Sequence, residues 1–385
     1  MSLALPRSRR GIRYIAPHDS GGYSIAARRN LIGLRNAGVP FTWTPMVSGI
    51  GWDLGYQPFT GRGIGDLELD PFCNLPIEYD TVIVHTVPEY LVRWRSLEPD
   101  RKLLACTVWE TDRLPHHWSV SLEQADHILV PCCWNKRVFE QRGLTAGVDV
   151  FPHIAVESKP VPGAWVPDIS NDHFVFYCIE VWSARKALWN LVKCYLDTFT
   201  ARDPVTLLLK TSENNVCRRG LFGGYGKTRD AVDRIRNQYP HPARLQLVTD
   251  NLAHEDIARM HARSDCYVSL SRGEGWNLGA FDAAAYGKPV IITGFGGQLD
   301  YLPRDGAYLV DYQLAPVEDD LGKPSFTRDQ NWAEPSLAHA SALMREVFSH
   351  RAEAVRRGAA LREKVLSGFN EKIVIERLLN ILDAL

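Results

Sequence analysis

The chain has 385 residues, of which 45% are hydrophobic and 23% charged, and its formal net charge is -1. This length is more than one hydrophobic core usually organises and predicts two domains, while the ordinary composition excludes general disorder. The near-neutral charge argues against a protein that binds nucleic acid over its whole surface. The eight cysteines are scattered and form no Cys-x-x-Cys pair. The sequence therefore predicts buried reduced thiols, with neither a structural zinc site nor a disulfide framework.

Membrane and targeting signals are weak. No apolar run approaches the roughly 20 residues that a membrane-spanning helix needs, and the basic N-terminal residues are not followed by the apolar region of a signal peptide. These features predict a cytoplasmic protein that at most sits on the inner face of a membrane. Seven arginines and a single acidic residue fall between positions 7 and 35: Arg7, Arg9, Arg10, Arg13, Arg28, Arg29 and Arg35, with Asp19. Such a cluster suits phosphates or anionic lipid head groups, and it also suits a solvated helix face.

Short apolar runs alternate with amphipathic stretches, which is typical of parallel sheets covered by helices. A first strand is predicted at residues 12–16, and a helix at 23–36 that ends at Gly38, a residue suited to a helix C-terminus. Residues 48–76, rich in glycine, proline and aromatic residues, predict a functional loop or an insertion. A proline-rich linker is predicted at residues 160–167. Further strands of this half are predicted at residues 81–85, 103–108, 127–130 and 148–151.

The same alternation restarts after the linker. Strands are predicted at residues 174–179, 205–210, 245–248, 266–270, 289–293 and 308–310. Helices are predicted at residues 187–200, 255–263, 279–286, 336–348, 352–366 and 371–385. The two halves look alike in architecture, and two doubly wound domains of this kind are expected to face each other across a cleft. Since ligands of open parallel sheets bind at the carboxyl ends of the strands, the loops at that edge are where chemistry is expected.

The most informative segment is residues 269–293, a predicted strand, turn, helix and second strand. Glycines on both sides of Glu274 allow a close approach of the backbone to a ligand, and unpaired N–H groups at the helix start can hold an anion or hydroxyl oxygens. Asp282 follows eight residues later, near the same helix face if the turn leads directly into the helix. Two such carboxylates suit a sugar joined to a ribose. Alternatively, Glu274 caps the helix and Asp282 faces solvent.

This segment resembles the E-x7-E region of retaining glycosyltransferases of the GT-B fold, the family 4 (group 1) enzymes. The chain keeps the Gly-Glu-Gly turn at residues 273–275, the aromatic residue at Trp276, and Leu278. It also keeps the Ala-to-Ile run at residues 283–291.

Three positions depart from the pattern of that family. Asn277 and Gly279 stand where Gly and Pro are common, and Asp282 stands where the second Glu is usual. Aspartate keeps the charge but is one methylene shorter, which affects its reach to a ribose hydroxyl.

The resemblance extends to residues 174–188, which look like the strand and loop that open the donor domain of the family. There, an Arg near the strand end and a Lys six residues later bind the donor diphosphate. Lys186 matches the Lys, whereas Glu180 stands where the Arg is expected, and Arg185 is the candidate for the missing positive charge.

Three further segments resemble parts of the family. Residues 296–302 are similar to a glycine turn near the donor, and residues 20–24 to a glycine loop that approaches the donor phosphates from the other domain. Residues 371–385 are similar to the helix that packs back on the first domain.

The resemblance implies a GT-B fold, with two Rossmann-like doubly wound domains facing across a cleft. Residues 1–165 are the implied acceptor-side domain, 166–367 the nucleotide-sugar donor domain, and 368–385 a C-terminal helix crossing back to the first. The implied activity is a retaining hexosyl transfer from a UDP- or GDP-sugar to a glycan or lipid-linked acceptor, in bacterial polysaccharide or glycoconjugate synthesis.

The resemblance also implies roles for individual residues. Glu274 would hold a sugar hydroxyl and Asp282 the ribose, while Lys186, Arg185 and backbone N–H groups stabilise the leaving diphosphate. The implied catalytic residues are Glu274, Lys186 and Arg185. The implied donor-binding residues are Asp282, Gly275, Trp276, Asn277, Leu278, Gly21 and Gly22. The acceptor-side candidates, each of which alternatively makes only local hydrogen bonds, are His85, Glu110 and Thr111.

The expected partners are a nucleotide-sugar donor, a glycan or lipid-linked acceptor and an anionic membrane surface, with no nucleic acid. No cofactor is expected, because the nucleotide sugar is a substrate and this fold generally works without a bound metal. Two alternatives stay open: a sugar-nucleotide epimerase of similar architecture, and a catalytically weak sugar-nucleotide-binding scaffold. Acceptor-dependent release of nucleotide would distinguish the three.

Overall fold

The computed structural model describes residues 11–52, 55–157, 169–219, 224–319 and 324–385. The chain divides into two compact units. The first contains the described residues of Met1–Trp109, Arg113–Ile154 and Phe369–Leu385, and the second contains those of Glu110–Asp112 and Ala155–Gly368. The predicted linker at 160–167, the predicted boundary at 165 and the arginines Arg7, Arg9 and Arg10 lie outside the described residues.

A seven-stranded sheet forms the centre of the first unit. Its strands are β1 Gly11–Pro17, β2 Phe41–Ser48, β3 Tyr56–Pro58, β4 Tyr79–His85, β5 Lys102–Cys106, β6 His127–Val130 and β7 Gly147–Val150. Their order is β3-β2-β1-β4-β5-β6-β7. All neighbours are parallel except β3, which runs antiparallel to β2. The order reverses between β1 and β4, which makes their carboxyl ends a switch point of the doubly wound type.

The second unit repeats this plan with a six-stranded, all-parallel sheet. Its strands are β8 Phe174–Ile179, β9 Val205–Lys210, β12 Arg244–Val248, β13 Cys266–Ser269, β14 Val290–Thr293 and β15 Tyr308–Val310. They lie in the order β12-β9-β8-β13-β14-β15. Two antiparallel pairs stand outside the sheet: β10 Asn214–Arg219 with β11 Gly224–Lys227, and β16 Tyr312–Pro316 with β17 Asn331–Pro335. The switch point of this sheet lies between β8 and β13.

The described α-helices follow the alternating plan. They are α1 Gly22–Asn36, α2 Leu91–Leu97, α3 Trp118–Leu122, α4 Cys133–Glu140, α5 Leu188–Thr198, α6 Thr228–Arg236, α7 His254–Arg263, α8 Leu278–Ala285, α9 Leu337–Ser349, α10 Arg351–Gly368 and α11 Glu371–Ala384.

The last helix, α11, belongs to the first unit. Its side chains Val374, Ile375 and Leu378 are buried in the same core as β1 and α1. The two helices approach closely at Gly33, where a Cβ atom would lie 2.8 Å from Ile375 Cγ1. The predicted C-terminal helix crossing back is therefore part of the fold.

The strands predicted at 174–179, 205–210 and 308–310 are confirmed with the same bounds. The sequence prediction was wrong in omitting β2. Its threonines and Pro45 break the apolar run, yet residues on both of its faces are buried, and it pairs with β1 and β3 within the sheet. The buried hydroxyl of Thr44 is satisfied by two hydrogen bonds: it donates to Asn74 Oδ1 at 2.9 Å and accepts from Arg13 Nε at 3.1 Å. The sequence prediction also lacked β3, the helices α2, α3, α4 and α6, and the two antiparallel pairs.

The described cysteines are free thiols. The prediction of buried thiols is confirmed for Cys73, Cys106, Cys132, Cys178, Cys194 and Cys266. It is wrong for Cys133, which is exposed in the first turn of α4, while its neighbour Cys132 is the buried cap residue of that helix. Among the described residues, no helix combines the length and apolar character needed to cross a membrane.

Candidate functional site

The candidate site lies at the switch point of the second sheet. Strand β8 pairs with β13 there, and the loops that follow the two strands converge. The loop after β8 carries Glu180, Arg185 and Lys186, and the loop after β13 carries Glu274 and Asn277. Doubly wound sheets bind ligands at this position, in the crevice outside the carboxyl ends of the strands.

Arg185 and Lys186 both contact Glu274, as a shared site requires. Lys186 Nζ lies 2.5 Å from Glu274 Oε1, and Arg185 Nη1 lies 3.3 Å from Oε2. Arg185 Nη1 also donates to the carbonyl oxygen of Gly273 at 2.7 Å. The Glu274 side chain is only 5% exposed. Burial opposes its ionisation, but Lys186 and Arg185 outweigh that effect and hold the pKa of Glu274 below its ordinary value.

Glu180 is a second buried carboxyl beside Lys186. Its Oε1 accepts hydrogen bonds from Ser269 Oγ and Asn277 Nδ2, both at 2.8 Å, and lies 3.5 Å from Lys186 Nζ. Its Oε2 is buried and has no hydrogen-bond partner in the part of the chain that the structure describes. Burial raises the pKa of Glu180; Lys186 opposes this rise and Glu274 adds to it. The sequence showed Glu180 only as a departure from the family pattern, although a carboxyl directly after an apolar strand signals a position at the ligand-binding edge.

The segment Glu110–Asp112 contributes a third carboxylate to this group. Glu110 Oε1 lies 3.4 Å from Arg185 Nη2. The backbone also fits closely, since a Cβ atom on Gly273 would lie 2.1 Å from the Glu110 carbonyl oxygen. Thr111 is buried and donates to Gln330 Oε1 at 2.9 Å. The cluster thus contains two cations, Arg185 and Lys186, and three carboxyl groups.

The start of α8 differs from the arrangement considered from the sequence. Glu274 lies in the loop before the helix, which begins at Leu278, so it does not share a helix face with Asp282. Asn277 takes a left-handed conformation, with φ of 64°, and its Oδ1 accepts from Ala280 N at 2.9 Å, so Asn277 rather than Glu274 caps the helix. Asp282 lies half-buried on α8. The pKa of Tyr177 is raised mainly by burial, then by Cys266, and to a smaller extent by nearby Asp282.

The remaining predicted donor-binding residues of this segment support its backbone. Gly275 is buried and Leu278 half-buried. Trp276 is also buried, with its ring 5.0 Å from Phe281 and 4.8 Å from Tyr301 between centroids. Tyr301 OH donates to the carbonyl oxygens of Trp276 and Asn277, at 2.8 and 2.9 Å. Contact between these residues and a donor stays a prediction.

We expect Tyr301→Phe to lower stability, because two buried carbonyl oxygens in the β13–α8 loop lose a shared donor. The expected cost is about 1–3 kcal/mol, seen as a lower thermal-unfolding temperature. Tyr312→Phe is the matched control, since the Tyr312 side chain is 39% exposed. Equal unfolding temperatures of the two variants would contradict this reading of Tyr301.

The glycine turn that follows β14 packs against the backbone of Glu274. Gly297 N donates to the Glu274 carbonyl oxygen at 2.8 Å. Gly296 has φ of 105°, and a Cβ atom there would lie 2.4 Å from the same oxygen. Both the backbone angle and the space therefore favour glycine in this turn.

The other candidates lie at the switch point of the first unit. His85 ends β4, and its Nδ1 lies 2.7 Å from Tyr14 OH. Burial lowers the pKa of His85 to about 3, so its imidazole is neutral at physiological pH. Gly21 and Gly22 are exposed at the start of α1, where Gly21 N donates to Asp19 Oδ1 at 2.7 Å.

The described residues include no group of three or more His, Cys, Asp or Glu side chains placed to hold a metal ion. Whether the reaction uses a metal stays at the level of the sequence prediction.

No protein-family model and no curated protein sequence matches the chain. Solved structures do match it. Sucrose-phosphate synthase from Thermosynechococcus elongatus has a TM-score of 0.70 and 17% identity, over 98% of this chain and 100% of that one. HepE from Anabaena, in complex with UDP and glucose, has a TM-score of 0.63 and 13% identity, over 98% and 100%. Trehalose 6-phosphate synthase from Burkholderia multivorans has a TM-score of 0.64 and 13% identity, over 98% and 99%. The chain therefore has the GT-B fold, with two Rossmann-like domains.

Proposed function

We propose that the protein is a glycosyltransferase that moves a sugar from a nucleotide-sugar donor to an acceptor. The observation that carries the proposal is the convergence of Lys186, Arg185 and Glu274 at the switch point of the second unit. Two partly buried cations suit a diphosphate, and a carboxylate suits sugar hydroxyls. The similarity in fold to HepE, a protein solved with UDP-glucose, supports the same donor class.

In the proposed reaction, the bond between the sugar C1 and the diphosphate oxygen breaks as the acceptor oxygen attacks C1 from the same face. The proton of the acceptor hydroxyl passes to the leaving diphosphate, and the configuration at C1 is retained. Lys186 and Arg185 neutralise the charge that develops on the diphosphate. Glu274 holds a sugar hydroxyl and Asp282 the ribose, so that C1 is presented to the acceptor.

The finer proposal is a family 4 hexosyl transfer from a UDP- or GDP-sugar to a glycan or lipid-linked acceptor, within bacterial polysaccharide or glycoconjugate synthesis. Membrane contact stays a prediction. In the structure, Arg28 Nε lies 2.8 Å from Asp66 Oδ2 and Arg35 Nη1 lies 3.3 Å from Glu68 Oε1. These arginines of α1 are thus engaged with carboxylates of their own unit, and less of their charge is available to an anionic surface than the sequence indicated.

The test is a thermal-shift panel of UDP- and GDP-sugars, followed by an assay of acceptor-dependent nucleotide release. A bound donor is expected to raise the unfolding temperature, and release is expected to require an acceptor. Glu274→Ala should lose release, whereas Glu318→Ala, at an exposed ion pair with Arg328, should not.

Each other outcome of the panel points elsewhere. Release unaffected by Glu274→Ala would contradict the site. Conversion of the donor without an acceptor would favour an epimerase, and donor binding without release would favour a scaffold.

A further inference from the structure

The ion cluster at the switch point carries more carboxyl groups than cations. Glu110, Glu180 and Glu274 surround Arg185 and Lys186. With all five groups ionised, the cluster has a net charge of -1. A nucleoside diphosphate brings at least two further negative charges to the same place. Like charges at close range repel more strongly in a protein site than in water, so such a complex favours the uptake of a proton.

The geometry indicates which carboxyl group takes that proton. Glu274 contacts both cations, which keep it ionised. Glu110 is 20% exposed, so water stabilises its charge. Glu180 is 1% exposed, and the cation that pairs with it, Lys186, lies 3.5 Å away. Of the three carboxylates, Glu180 has the charge that is least stabilised once Lys186 pairs with a phosphate instead.

The hydrogen bonds of Glu180 leave one oxygen for the proton. Oε1 already accepts from Ser269 and Asn277, which have no ionisable groups, whereas Oε2 has no hydrogen-bond partner among the described residues. The other titratable neighbours are Cys178 of β8 and Tyr267 of β13. Burial raises the pKa of both well above the ordinary values, so they stay neutral and do not compete for the proton.

We propose that Glu180 is a proton-carrying residue of the donor site, which takes up one proton from solvent at Oε2 when a nucleoside diphosphate binds to Lys186 and Arg185. This inference rests on the proposed function, because it assigns the diphosphate to those two cations. The neutral acid keeps the bonds from Ser269 and Asn277 and releases Lys186 from one of its two carboxylate partners. Binding is therefore tighter at low pH and weakens as the pH rises through the pKa of Glu180 in the free protein.

The test compares the wild type with Glu180→Gln, which fixes the neutral state with the same shape. UDP and GDP serve as probes in isothermal titration calorimetry between about pH 6 and pH 8, in buffers of different ionisation enthalpy. The wild type is expected to take up close to one more proton per bound nucleotide than the variant. Its Kd should rise by up to tenfold per pH unit relative to that of the variant, which binds at least tenfold more tightly at the upper end. The comparison cancels the ionisation of the nucleotide itself.

Glu334→Gln is the matched control, because Glu334 pairs with Arg272 of the same unit outside the cluster. It should keep the proton uptake of the wild type. A merely structural role of Glu180 would lower the affinity of Glu180→Gln equally at every pH.

Equal proton uptake in wild type and Glu180→Gln, with nucleotide bound by both, would overturn this inference and leave the proposed function standing. Absence of UDP and GDP binding to the wild type would overturn both. If Glu180→Gln does not fold, calorimetry on the wild type alone tests the inference. Nucleotide binding near pH 8 without proton uptake would then overturn it.

Discussion

Replacing Lys186 by methionine should reduce glycosyl transfer by about 10²–10³-fold, the loss usual when a group that stabilises developing charge is removed. The ammonium of Lys186 lies against Glu274 and Glu180, so it is placed to draw a diphosphate into the cluster. Methionine keeps much of the volume of the side chain but none of its charge. The measurements are acceptor-dependent nucleotide release, which should fall, and the Kd for UDP, which should rise.

Lys193→Met is the control for this substitution. Lys193 is exposed on α5, seven residues along the same segment, and its loss should leave release unchanged. Removal of one partner of a buried ion pair also costs stability, about 3–5 kcal/mol, although Glu274 keeps Arg185 and Glu180 can become neutral. Thermal unfolding therefore accompanies the assay. A folded Lys186→Met protein with wild-type release would contradict the placing of the diphosphate at Lys186.

The second large effect concerns stability and arises where α10 packs on the turn after α8. A Cβ atom on Gly358 would lie 2.2 Å from the carbonyl oxygen of Gly287 and 2.9 Å from the nitrogen of Pro289. Both neighbours are backbone atoms, which cannot rotate away as a side chain can. Gly358→Ala is therefore expected to shift α10 and to cost about 1–3 kcal/mol, as overpacking does. Each kcal/mol should lower the unfolding temperature by roughly 2–4 °C in a unit of this size.

The same helix offers a matched control. Apart from its own helix, no atom of the described residues lies within 4 Å of the position of a Cβ added at Gly368. Gly368→Ala should leave stability unchanged or raise it by up to about 1 kcal/mol, because alanine favours the helix. Similar unfolding temperatures for the two variants would show that the contact at Gly287 does not limit the packing of α10.

Much of the fold follows from local sequence because most strands are buried on both faces. Strands β8 and β9 are continuous apolar runs, and periodicity suffices to find them. Strand β2 is equally buried but carries Thr42, Thr44 and Pro45, whose polar atoms are satisfied by residues distant in the chain. A local pattern cannot distinguish such a strand from a loop.

The sequence predicted the residues of the candidate site better than the contacts between them. The resemblance indicated Glu274 and Lys186, and the structure places them in contact. It gave no sign that Glu110 would meet Arg185, or that Glu180 and Asn277, two departures from the family pattern, would bond to each other. Those contacts join separate strands and loops, so only the assembled sheet brings them together.

The return of α11 to the first unit sets an order of assembly. Val374, Ile375 and Leu378 fill a core that they share with side chains of β1 and α1, which precede the second unit in the sequence. The whole second unit is synthesised in between. Until α11 is synthesised, the apolar face of α1 that packs against it stays uncovered. The second unit is contiguous apart from the short segment Glu110–Asp112, so all of its residues have been made by then. During synthesis, the core of the first unit is therefore completed only after the residues of the second unit have been made.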